Sequence, residues 1–68
     1  MTRKDYKAIA LAIAKVGAES HEHAVVCAEV GAQLMGVFAE DNPRFDRDTF
    51  RDFYMNALWE AQAIKRNR

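Results

Sequence analysis

The dipeptide Asn42-Pro43 limits what this chain can fold into more than any other feature. Proline has no backbone N–H, and its ring pushes the preceding residue out of helical conformation, so no helix runs through this point. On both sides the apolar residues recur at spacings of three and four, which is helical periodicity. The surrounding stretch AEDNPRFDRDTFRDF, residues 39–53, therefore reads as a joint between two helices, although its charges also raise a catalytic loop or a nucleic-acid patch as alternatives. Asp46 is placed to cap the helix that follows, the aspartates suit its positive end, and the arginines can pair with them locally. Phe45, just before the cap, is expected to insert into the core and anchor the joint.

Two further helices follow from similar punctuation. Thr2 can cap the first, with Asp5 three residues on as a shortened capping box, and Gly17 stops it. Tyr6, Ile9, Ala10, Ile13 and Val16 line its expected core face. The alternation in AIALAIA, residues 8–14, resembles a strand, but four of its seven residues are alanine, the best helix former, and no turn bounds it. Ser20 caps the second helix, which is apolar all round except for a stripe of Glu22, Glu29, Gln33 and Glu40. A helix so widely apolar should be contacted on several sides. Ala28, Ala32 and Gly36 fall on one line where a neighbouring backbone can approach, and close packing is expected to compensate for Gly31 and Gly36. In the third helix Phe50, Phe53, Tyr54, Ala57, Leu58, Ala61 and Ile64 form the core face until Lys65 and Arg66 end it. The fold expected is all-α: a three-helix up-down-up bundle, with helices over residues 3–16, 20–40 and 46–66, forming one domain over 1–68 and oligomeric.

Length and charge narrow the function. A chain of 68 residues buries only about 60% of its unfolded surface, so any pocket must be small or shared. Ten basic and ten acidic residues cancel, which argues against a general DNA-coating protein and against an acidic DNA mimic alike. The single cysteine, Cys27, has no internal disulfide partner. With no secretory leader recognisable, the expected location is the cytoplasm. The longest apolar run is too short to cross a bilayer, so no membrane partner is expected.

Each candidate constellation has a plainer counterpart. His23 and Cys27 lie four apart on one face, but two ligands do not make a zinc site and His21 points elsewhere, so no metal or other cofactor is expected. As a nucleophile pair they fail because Cys27 sits in AVVCAEV, where apolar surroundings keep a thiol inert. Glu40 with Asp41, and Asp48 with Asp52, read as solvated charges. No catalytic residues are assigned, and the chain is read as non-enzymatic. Arg44, Arg47 and Arg51 surround the amino end of the third helix and are a possible anion site, for which Asp41, Asp46, Asp48 and Asp52 compete. Lys65, Arg66 and Arg68 form a basic tail. Trp59 and Met55 fall opposite the third helix's core stripe; either another helix wraps far enough to cover them or they belong, with Ala28, Ala32 and Gly36, to a dimer or partner surface.

The opening MTRKDY, with Ala8-Ile9-Ala10 after it, and the later AEDNPRFDRDTF together resemble a recurrent type of very short protein encoded by bacteriophages and prophages. Members open on Thr-Arg-Lys-Asp-Tyr and carry an Asp-Asn-Pro-Arg-Phe-Asp joint before a phenylalanine-containing helix. The shared motifs cover residues 1–10 and 39–50. The chain departs from the pattern where the last helix continues through YMNALWEAQAIKRNR. The resemblance brings no catalytic residues and implies phage accessory biology in the host cytoplasm. The function expected is binding of a host protein or nucleoprotein, with inhibition of a defence system of the anti-CRISPR kind as one case, by a protein that is itself a homodimer. The alternative is a small nucleic-acid-binding module using Arg44, Arg47 and Arg51.

Overall fold

A computed structural model describes residues 1–66 and contains helices α1 (Arg3–Gly17), α2 (His21–Asp41) and α3 (Arg47–Arg66), with no strand among the described residues. Arg68 of the basic tail lies outside the described residues. The helix ends are set by the expected side chains. Thr2 Oγ1 accepts from the Asp5 amide at 3.3 Å while Asp5 Oδ2 accepts from the Thr2 amide at 3.0 Å, a complete capping box. Ser20 Oγ accepts from the His23 amide at 3.1 Å. At the joint, Asn42 is extended, as a residue before proline must be, and its Oδ1 accepts from the Arg44 amide at 3.0 Å. Asp46 Oδ1 then accepts from the amides of Asp48 and Thr49, at 3.0 and 3.2 Å, and opens α3.

Short connections make neighbouring helices antiparallel, but the three do not share contact equally. α1 packs along both α2 and α3, whereas α2 and α3 hardly touch. What lets one helix serve two partners is the size of its contact residues. Ala10 and Ala14 are completely buried and Gly17 is buried, a line of small side chains against which both neighbours close. At Gly17 a Cβ would stand 3.2 Å from Leu58 Cδ1, 3.4 Å from the Tyr54 hydroxyl and 3.5 Å from Cys27 Cβ. The other end of the bundle is filled by aromatic rings. Tyr6 lies 4.9 Å from Phe38 and 4.8 Å from Phe45, and Phe38 and Phe50 meet edge-on at 5.6 Å. Phe45 is half-buried within this cluster, as the joint's anchor.

Three expectations need correction. Val16 is 51% exposed, because the stripe centred on Ala10, Ala14 and Gly17 leaves it on the outer side. Ile64 is 61% exposed, because it stands in the last turn of α3, beyond Ala61, the last residue of the α3 face that is even half-buried. Close approach on α2 is the third: Ala28 and Ala32 are exposed, Gly36 is half-buried, and a Cβ at Gly31 or Gly36 would meet nothing within 4 Å. The tight backbone contact is on α1 instead.

The different packing of these positions sets different costs. Phe38→Ala should lose about 3–5 kcal/mol by opening a cavity under three rings, and Ala14→Leu about 1–3 kcal/mol by overpacking. Val16→Ala should change stability by less than about 0.5 kcal/mol. Urea unfolding followed by circular dichroism measures all three; equal losses at Ala14 and Val16 would refute the assignment of the α1 stripe.

Candidate functional site

The side chains suspected of metal or nucleophile chemistry do not converge. Cys27 is buried against the Gly17 end of α1, while His21 and His23 are exposed at the start of α2. His23 Nδ1 lies 2.7 Å from Ser20 Oγ and so is occupied at the cap. Among the described residues no group of three or more His, Cys, Asp or Glu side chains could hold a metal ion. Beside Cys27 the Tyr54 hydroxyl is buried without a hydrogen-bond partner, and burial, with a smaller contribution from Cys27, raises its pKa above the usual tyrosine value.

The three arginines around the joint also separate. Arg51 is held by Asp48 at 3.4 Å and by Asp52 at 3.8 Å, all three exposed. Arg44 instead lines a groove of about 620 Å³ between the first turns of α1, the joint and the first half of α3, and neither Arg47 nor Arg51 reaches that groove. The cations that accompany Arg44 there are Arg3 and Lys7, one turn apart on α1. Its wall is aromatic: Tyr6, Phe45, Phe50 and Phe53, with Lys7 Nζ 5.6 Å from the centre of the Phe53 ring. Sequence reasoning missed this grouping because α1 and the joint are nearly forty residues apart; the four-residue spacing of Arg3 and Lys7 was the available signal.

Apolar surface forms a second kind of site. Val25, Val26, Val30 and Val37 of α2 are between 46% and 58% exposed. They flank the acidic stripe, with Ala28 and Ala32 also in solvent. On α3 Met55 is 56% and Trp59 68% exposed, so no helix wraps round to cover them. Trp59 falls opposite the stripe of Phe50, Tyr54 and Ala57 that faces the bundle, and points away from α1. Within one protomer the α2 valines and Trp59 are thus two patches, not one. No described helix is long and apolar enough to cross a membrane.

No family model, no curated protein and no solved structure matches the chain.

Three exposed carboxylates have pKa values below their ordinary ones. Asp5 is lowered by bonds from Thr2, Glu19 by its hydrogen-bonded ion pair with Lys65, and Asp46 by bonds from the Thr49 hydroxyl and amide and the Asp48 amide. Each binds its proton less readily folded than unfolded, so its contribution is complete above the unfolded pKa and disappears as pH falls through the folded one. The thermal midpoint should therefore be flat between roughly pH 7 and 5.5 and drop below about pH 4.5. Asp46→Asn, which keeps an acceptor at the cap but cannot titrate, should make that drop shallower. A calorimetric series in which the variant and the unmodified protein fall in parallel would exclude Asp46 as a source.

Proposed function

We propose that this protein is a non-enzymatic interaction module that forms a two-fold dimer through α2 and uses the Trp59 edge of α3 to occupy a macromolecular partner. The observation that carries the reading is the exposure of Val25, Val26, Val30 and Val37 on a helix that α1 covers along its length and α3 and the joint meet only near Phe38. Val26, Val30 and Val37 fall on one flank of the acidic stripe and Val25 on the other. Monomers rarely leave large apolar strips in water, and an isologous contact buries them against a second copy and stops there. Ala28 and Ala32 lie beside Val25, on the flank of the acidic stripe opposite Val26, Val30 and Val37, and keep the surface low on that side. Trp59 and Met55 are of the types enriched at the centres of partner interfaces.

The resemblance to short phage-encoded proteins directs this reading toward a partner in the host cytoplasm. Inhibition of a host defence component, of the anti-CRISPR kind, needs only a surface that occupies one on the target. A bundle 40 Å long can offer one side of a standard interface, about 800 Å² per partner. The alternative, nucleic-acid binding by Arg44, Arg47 and Arg51, has less support, since Arg51 is paired with Asp48 and Asp52 and Arg44 is turned into the groove.

Light scattering at tens of micromolar should give twice the protomer mass for the unmodified chain. Val30→Glu should give the protomer mass with an unchanged helical circular dichroism spectrum, and Trp59→Glu should leave the dimer intact. A protomer mass for the unmodified protein would overturn the dimer and make α2 a surface for a foreign partner. Monomers from Trp59→Glu would instead place α3 in the self-contact.

A further inference from the structure

We propose that the groove between α1, the joint and α3 binds a nucleoside phosphate, with the phosphate among Arg3, Lys7 and Arg44 and the base against the aromatic wall at Phe53. The reading is independent of the dimer, which is assigned to another face. Among the described residues none of these three cations has a carboxylate within 4.0 Å. The groove's one carboxylate, Asp46, is already committed: its two oxygens accept from the Asp48 amide, the Thr49 amide and the Thr49 hydroxyl. The positive ends of α1 and α3 open on the same groove, because both helices start at this end of the bundle. A ligand that complements the groove must bring negative charge.

The rest of the lining says what else it must bring. A cation over the Phe53 ring face marks an apolar surface that a planar group can share. Asn56 and the side-chain N–H groups of Asn42, whose Oδ1 is used by the Arg44 amide, offer donors and acceptors for the edge of a base. A volume of about 620 Å³ lies inside the range of small-molecule sites, roughly 300–1,000 Å³. An extended polyanion is less well matched: Asp41, Asp48 and Asp52 are exposed at the same end and would meet its flanking phosphates. The chemistry favoured is one nucleotide, either free or at the end of a strand.

The test is calorimetric and NMR titration of the full chain with adenosine monophosphate, inorganic phosphate, adenosine, a 5′-phosphorylated thymidine decamer and an aspartate-rich peptide. The nucleotide should bind more tightly than phosphate or adenosine alone and shift amides of Arg3, Lys7, Arg44 and Phe53. Lys7→Ala and Arg44→Ala should each weaken it by about tenfold or more, the loss of a hydrogen bond to a charged group. Arg51→Ala should leave it unchanged. Both groove variants alter exposed side chains, and circular dichroism confirms that they fold. A decamer that binds more tightly than the free nucleotide, and is weakened by the same two variants, identifies the source as a strand end; a decamer that binds no more tightly identifies a free nucleotide. The proposal is overturned if the nucleotide shows no saturable binding, if inorganic phosphate binds as well, or if the acidic peptide displaces the nucleotide from these residues. None of these results depends on the oligomeric state, which Lys7→Ala and Arg44→Ala should leave untouched.

Discussion

Everything in this bundle depends on how closely two helices approach the line Ala10–Ala14–Gly17 of α1. With two residues bearing only a methyl group and one bearing none, α1 presents a shallow face. α2 and α3 can both seat on it while remaining nearly free of one another. Larger residues there would hold the partners further out and break the contact that brings Cys27 and Leu58 together at Gly17. The consequence for α2 is direct. A helix with apolar residues around most of its circumference receives one neighbour along its length and meets α3 only near Phe38, and its flanking valines remain in solvent.

The two ends of the bundle are closed by different physics. At the joint, four rings from all three helical segments and the loop pack at centroid distances of 4.8–5.7 Å, so geometry there is fixed by aromatic shape. At the far end the contacts are small, and polar terms contribute: Glu19 in the first connection meets Lys65 near the end of α3. Because both partners are well exposed, that pair is screened and adds little stability. Its structural effect is to tie the last turn of α3 to the α1–α2 connection. The joint end, where the rings pack, is the end that carries the cationic groove.

What was legible in the sequence was what local chemistry decides. Thr2 with Asp5, Ser20, Asn42-Pro43 and Asp46 each act within three residues of themselves, and each does in the fold what its type and position suggest. Met55 and Trp59 were legible as outward-facing for the same reason, since helical periodicity places a residue on a face whatever lies opposite. What periodicity does not contain is how many neighbours a face receives. Two small-residue lines exist, Ala10–Ala14–Gly17 and Ala28–Ala32–Gly36, and nothing local distinguishes the one that is covered from the one that is open. The arginines fail for a related reason. Arg44, Arg47 and Arg51 are neighbours in sequence, yet Arg51 turns to acids on its own helix while Arg44 joins Arg3 and Lys7 from the other end of the chain.

The thinness of the core links stability to association. No large side chain among the described residues is sealed from solvent, and the buried set consists of small residues, one cysteine and a few rings. A chain this short gains little net free energy from its own burial, since conformational entropy offsets most of the hydrophobic gain. Anything that binds the folded form alone shifts the balance by mass action, in proportion to the logarithm of its concentration over its dissociation constant. Apolar area left on α2 is therefore unspent stabilisation: covered by a second copy, it strengthens the bundle that displays it. Charge substitutions on α2 act on both equilibria at once. The exposed groove cations on α1 and the joint lie away from α2, and among them Lys7 adds only its contact with the Phe53 ring to the bundle, so the two surfaces can be altered separately.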